Sequence, residues 1–174
     1  MTAGTWRLII DGGAPGAANM ARDQALMEGV RGGAPPTLRL YQWTPGCLSF
    51  GRNQPARGLY EPAAAAARGI DIVRRPTGGL AVYHDRELTY AVAAPVAVIG
   101  KPRAAYRAIN RALASGLRRL GVPVVLVREG GPGGALGSGP CFHEGAPGEV
   151  LAEGRKLVGS AQRCESRIIL QHGS

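Results

Sequence analysis

Lysine is nearly missing from this 174-residue chain: Lys101 and Lys156 are the only two, and the other 19 of its 21 basic residues are arginine. Acidic residues are also few, 12 in all, which leaves a formal net charge of +9 and favours acidic partners. Aromatic side chains make up only 5%. The arginines are scattered and no helix-turn-helix or RNA-binding signature is present, so nucleic acid is disfavoured as that partner. Three cysteines, Cys47, Cys141 and Cys164, form an odd set with no Cys-x-x-Cys spacing, which argues against a disulfide framework and a zinc site; no metal is expected. No apolar run approaches the roughly 18 residues of a membrane span, and the apolar run in the opening segment is too short for a signal peptide. A reduced, cytoplasmic setting without membrane attachment is therefore expected.

Glycine and proline, by contrast, are plentiful at 27 and 13 residues. They fall between segments with regular apolar periods, so they read as turns of one folded domain, residues 1–174, rather than as disorder. Residues 6–11, 37–43 and 47–51 read as strands. Between the first two, Asn19 is the expected N-cap of a helix with an apolar stripe of Met20, Ala21, Ala25, Leu26 and Val30. Pro62 and Gly69 bracket a short helix. Residues 81–95 suggest two strands about a turn at Asp85-Arg86, and 102–120 the clearest helix, with Tyr106, Ile109, Leu113, Leu117 and Leu120 on one face. Residues 124–127 read as a buried strand and 128–140 as a long loop. A hairpin turning at Glu153-Gly154 is expected across 149–163, followed by a final strand at 167–174. The sum is an α+β chain with a mixed, mainly antiparallel sheet and flanking helices.

Two stretches combine a tight backbone with reactive side chains. In Arg74-Arg75-Pro76-Thr77-Gly78-Gly79, followed by His84, paired glycines let the main chain come close to a ligand. The same residues also suit a plain strand–turn–strand, with His84 a satisfied polar group. In Pro140-Cys141-Phe142-His143, a cysteine ends the glycine-rich loop, where a thiol can be accessible. His143 is a minor candidate for a base. Lys156 follows 15 residues after Cys141, just beyond the hairpin turn. It is either a lysine at a hairpin end or a partner for Cys141. A compact ammonium would favour the thiolate and could stabilise an oxyanion on a thioester carbonyl, where a planar guanidinium is less suited.

Taken together, "RRPTGGLAVYHDRELTY" and "GRKLVGSAQR", with "NMARDQAL" and "PCFHE", resemble the biotin/lipoate protein ligase superfamily along the whole chain, specifically its lipoate–protein ligase and octanoyltransferase branch. A TGG loop stands where biotin ligases carry a GRGR-type loop, which disfavours biotin. The resemblance implies that family's catalytic-domain fold, with an acyl tunnel beside the TGG loop. It also implies that Cys141 takes octanoyl from acyl carrier protein as a thioester, while Lys156 lowers the cysteine pKa and orients the acyl carbonyl. Arg75, Thr77, Gly78, Gly79, His84 and Gly159 would bind the acyl group. The acceptor would be a lysine on a lipoyl domain of a 2-oxoacid dehydrogenase subunit or on a glycine-cleavage carrier protein, with no cofactor. An ATP-dependent lipoate ligase using ATP and Mg is the alternative, weakened by Leu80 where such ligases commonly carry a third glycine. A domain that only binds lipoyl carrier proteins is a third reading. Members of the family usually continue past the point where this chain stops, so a fold truncated at its C-terminus is expected.

Overall fold

The computed structural model describes residues 4–56, 58, 60–127 and 148–174. The chain begins with β1 (Arg7–Ala14), α1 (Gly16–Arg31), β2 (Thr37–Trp43), β3 (Cys47–Phe50), α2 (Pro62–Ala67) and β4 (Asp71–Arg74). It continues with β5 (Val82–His84), β6 (Thr89–Pro95), α3 (Val96–Ile99), α4 (Pro102–Arg119) and β7 (Val124–Leu126). After residues 128–147 come β8 (Val150–Ala152), β9 (Arg155–Val158), β10 (Ser160–Glu165) and β11 (Ile168–Gly173).

Among the described residues these strands make a five-stranded sheet, β1-β2-β6-β11-β10, and two three-stranded sheets, β4-β3-β5 and β7-β8-β9. β1 with β2 and β3 with β4 pair parallel, and the other pairings are antiparallel. The expected mixed, mainly antiparallel α+β architecture is therefore present.

β6 is the centre of the large sheet, and every residue from Thr89 to Ala94 is buried. Successive side chains of a strand point to opposite faces. Tyr90, Val92 and Ala94 accordingly pack under Ile109 of α4, while Ala93 packs with Leu26, Met27 and Val30 of α1. β11 continues both layers: Ile168 and Leu170 join the α1 side. At the far edge, β1 leaves Leu8 and Ile10 exposed.

Several local expectations need correction. α1 starts at Gly16, and Asn19 is buried inside it rather than capping it. The first turn is served from elsewhere, the Gly16 N–H donating to Asp71 Oδ2 at 2.8 Å. Ala21 and Ala25 are exposed; the inward stripe instead includes Asn19 and Asp23 beside Met20, Leu26, Met27 and Val30. Leu120 caps α4 and is 80% exposed, because Gly121, at φ +84°, ends the helix there. Val125 is also exposed, so β7 is only part-buried. The two strands on either side of Asp85-Arg86 do not pair with each other, since β5 lies in a small sheet and β6 in the large one.

The hairpin at Glu153-Gly154 forms, with φ +50° and +73° at the two turn residues, values close to a type I′ turn. It does not extend to residue 163. The chain leaves its sheet at Gly159 and enters the large one as β10. Gly159 pairs with Ser174, N–H to carbonyl in both directions at 2.7 and 3.1 Å. A Cβ at Gly173 would collide with the Gly159 carbonyl, so this crossing requires glycine.

Candidate active site

The crossing at Gly159 places β9, β10 and the end of β11 opposite β3, β5 and the 75–80 loop, and a cavity lies between them. Met20, Tyr41, Trp43 and Thr89 line it from the body of the fold. Ser49, Arg75, Gly79, Val82 and His84 form one wall; Lys156, Gly159, Ser160, Ala161, His172 and Gly173 form the other.

Arg75 holds the TGG loop by its backbone. Nη2 donates to the Gly78 and Leu80 carbonyls at 2.8 and 2.7 Å, and Nε also donates to the Gly78 carbonyl. Nη1 donates to the Ser49 carbonyl at 2.9 Å and to its Oγ at 3.2 Å. A guanidinium has five N–H donors, and here each has a main-chain or hydroxyl acceptor. Arg75 thus shapes the loop as well as lining the cavity. The loop lies directly on Gly51: a Cβ there would overlap the Gly79 carbonyl.

His84 stacks on Trp43 with ring centroids 4.2 Å apart. Its Nδ1 meets Glu87 Oε1 at 2.5 Å and its Nε2 meets Ser49 Oγ at 2.7 Å. Nδ1–H thus faces the Glu87 carboxylate while Nε2 meets the Ser49 hydroxyl. The same hydroxyl oxygen accepts from Arg75, so the Ser49 side chain is bonded on both sides. Trp43 Nε1–H donates to Thr89 Oγ1 at 2.7 Å, and Thr89 donates to Glu87.

Thr77 and Gly78 stand behind the lining rather than in it. Thr77 is fully buried and its Oγ1 meets His172 Nε2 at 2.6 Å. His172 Nδ1–H donates to Asp23 Oδ2 at 2.8 Å. Asp23 also accepts from Tyr41 Oη at 2.9 Å and from Arg39 Nη1 at 2.8 Å. Arg39 is 1% exposed and reaches Asn19 Oδ1 and Asp11 besides. Sequence reasoning missed this network. Its signal was an acidic residue at 23 in step with Met20, Met27 and Val30, and a histidine in step with Ile168 and Leu170 on the final strand.

On the opposite wall, Lys156 Nζ donates to Glu149 Oε1 at 2.6 Å, with side chains 9% and 6% exposed. Glu149 and Ser160 were also missed. Ser160 belongs to a hydrogen-bonded run in which Gln171 Nε2 donates to Tyr90 Oη, Tyr90 to Ser160 Oγ, and Ser160 to Asn110 Oδ1. Burial above all pushes the Tyr90 phenol up to about 12.

The structure therefore brings Arg75, Gly79, His84, Lys156 and Gly159 to one cavity and sets Thr77 and Gly78 in its supporting loop. Cys141 and His143 lie outside the described residues. Of the other thiols, Cys47 is buried and pushed up to about 12 by desolvation first and by the Asp71 carboxylate second, whereas Cys164 is exposed. Among the described residues no three His, Cys, Asp or Glu side chains are grouped to hold a metal ion, and no helix is long and apolar enough to cross a membrane.

The chain belongs to the lipoyl protein ligase A/B catalytic domain family, whose model matches residues 15–174. Among curated relatives, the octanoyltransferase LipM of Kyrpidia tusciae is 46% identical over 178 residues, covering 98% of this chain and 65% of the relative. The chain thus spans somewhat under two thirds of that relative's length. Among solved structures, a lipoate-protein ligase A bound with ATP is 25% identical with a TM-score of 0.75, over 96% of this chain and 64% of that one. A bi-partite lipoate protein ligase from Thermoplasma acidophilum, described together with its E2 lipoyl domain, is 25% identical with a TM-score of 0.68, over 98% of this chain and 60% of that one.

Proposed function

We propose that residues 1–174 form one catalytic unit that moves an octanoyl (or lipoyl) group from acyl carrier protein to a lysine of a lipoyl-domain or glycine-cleavage carrier protein. Cys141 attacks the carrier thioester, forming a Cys141 thioester and releasing the carrier thiol. The acceptor amine then attacks that thioester carbonyl, forming the amide and returning the Cys141 thiol. Lys156 holds its ammonium toward the carbonyl oxygen as negative charge develops, an effect worth about 3 kcal/mol for a single well-placed donor. Arg75, Thr77, Gly78, Gly79, His84 and Gly159 shape the channel for the acyl chain, and the chemistry calls for no metal or cofactor. The net charge of +9 suits an acidic carrier, and a reduced cytoplasmic compartment suits a working thiol.

The observation that carries this reading is the arrival of Lys156 and Gly159 at the same cavity as Arg75, Gly79 and His84, in a chain 46% identical to a protein named octanoyltransferase. Intact mass after incubation with octanoyl carrier protein tests it: a hydroxylamine-labile octanoyl adduct is expected on the wild type and absent from Cys141→Ser. The likeness to an ATP-bound lipoate-protein ligase favours one rival, ligation through lipoyl-AMP. Lipoate-dependent ATP–pyrophosphate exchange that survives Cys141→Ser would establish that rival. Carrier binding without any transfer would mark a binding domain instead.

A further inference from the structure

The proposed role of Lys156 asks much of a lysine. Its stem is long and flexible, holding about 2 kcal/mol of rotamer entropy, and the cavity beside it is open to whatever enters. An ammonium left to itself would sample several positions. In this structure it does not stand alone: Nζ donates to Glu149 Oε1 at 2.6 Å. Lys156 lines the cavity and Glu149 does not, so the carboxylate sits behind the ammonium.

Glu149 itself is held in place. The Gly148 carbonyl just before it accepts from Asn110 Nδ2 at 2.9 Å, and the Gly148 N–H donates to the Val127 carbonyl at 2.9 Å. Val127 N–H returns a bond to the Glu149 carbonyl at 2.9 Å, and the next residue, Val150, is fully buried. A methyl on Gly148 would stand 3.7 Å from the Tyr106 ring, so this turn lies against α4. Burial first, and the nearby Glu149 carboxylate second, push the Tyr106 phenol above its ordinary range. A buried carboxylate fixed this firmly costs desolvation energy that a hydrophobic residue would not.

Resting on the reading that Lys156 acts on the acyl carbonyl, we propose that Glu149 is its positioning residue: the carboxylate holds the Lys156 ammonium at the cavity wall, so that the donor is already aimed when the acyl group arrives. Glu149 touches no reacting atom; it acts through Lys156.

The scarcity of lysine gives a readout that needs no catalysis. Trace acetylation with acetic anhydride, followed by peptide mass analysis, reports Lys156 against exposed Lys101 in the same molecule. In ligand-free Glu149→Gln the Lys156:Lys101 labelling ratio should rise severalfold as the ion pair with Glu149 is lost. In transfer assays Glu149→Gln should lose about 100-fold in kcat, the scale of an ångström-sized misplacement, with KM for octanoyl carrier protein nearly unchanged. Glu149→Asp, which restores the charge one methylene short, should recover part of both. A wild-type labelling ratio and a wild-type kcat in Glu149→Gln would overturn the assignment. So would a Glu149→Asp variant as impaired as Glu149→Gln, because the charge would then be irrelevant. If Glu149→Gln does not fold by circular dichroism, Glu149→Asp carries the test alone, and wild-type values in it overturn the proposal. If the wild type forms no octanoyl thioester, the functional reading fails while the labelling contrast still decides whether Glu149 holds Lys156.

Discussion

On the α1 face of the five-stranded sheet the buried polar groups are built around an ion pair: Asp23 and Arg39 meet beneath the helix, with His172, Tyr41 and Asn19 closing the set. On the α4 face they are neutral: Tyr90, Ser160, Asn110 and Gln171 pass hydrogen bonds along without a formal charge. Both networks end at the cavity. The ionic one reaches the TGG loop through Thr77, and the neutral one reaches the Gly148-Glu149 turn behind Lys156. The difference lies in what each tolerates. Removing one member of a buried charged set strands its partner in a low-dielectric interior, whereas removing one hydroxyl from a neutral chain leaves groups that can re-pair. The ionic network behind the loop is therefore tied to the stability of the fold more closely than the neutral Tyr90–Ser160–Asn110–Gln171 chain, while the buried Lys156–Glu149 pair beside that chain is charged and falls under the same rule.

The largest test of that contrast is Asp23→Asn. Arg39 keeps Asp11 as a second partner, so the loss should fall at the low end of buried-pair breakage, about 3 kcal/mol. Differential scanning calorimetry should show Tm lower by about 10 °C for a chain of this size. A change under about 2 °C would mean that the ionic face is no more critical than the neutral one.

High pH probes both faces next. Tyr90 titrates near 12 in the fold against an ordinary 10, and Tyr41 is raised well above 10 by burial first and by the Asp23 carboxylate second. Below pH 10 folded and unfolded chains carry the same phenol protons, so these groups give no slope there. Above it the unfolded chain loses them first, and stability falls until the folded groups titrate too. Tyr90 alone should contribute about 2–3 kcal/mol of loss between pH 10 and 12. Urea unfolding at stepped pH should show the decline, less steep in Tyr90→Phe. A slope the same in both proteins would remove Tyr90 as its source.

The smallest effect is expected from Ser160→Ala. Tyr90 loses an acceptor, but Asn110 Oδ1 keeps the Gln171 donor, so about 1 kcal/mol is the expected cost by urea unfolding. A loss matching that of Asp23→Asn would erase the distinction between the faces.

Much of this layout was legible in the sequence. The period-two alternation of β2, the Pro62 start of α2, the Ile109–Leu113 face of α4 and the Glu153-Gly154 turn all follow from local rules. Which face of β2 turns inward was not legible. Arg39 and Tyr41 are buried while Leu38 and Leu40 are only partly so, because Asn19 and Asp23 of α1 supply the partners that a buried guanidinium requires. The same pairing hid Asn19 as an N-cap and left the alanines of α1 in solvent. Within the candidate site, Lys156 stood out by rarity, and Arg75, Gly79 and His84 by their place in or just after the paired-glycine stretch, while Gly159 came only with the family resemblance. Glu149, Ser160 and His172 did not stand out, since their roles depend on strands that meet only after folding.

Where the main chain crosses itself at Gly51–Gly79 and at Gly159–Gly173, no side chain stands between the strands. The width of the cavity at those two crossings is therefore a property of the backbone and cannot be trimmed by exchanging one residue for a larger or smaller one. Retuning the cavity for a larger or smaller guest falls instead to lining side chains away from those crossings, such as Met20, Val82 and Ala161. A library aimed at altered guest size would vary such codons and leave the glycines of the crossings untouched.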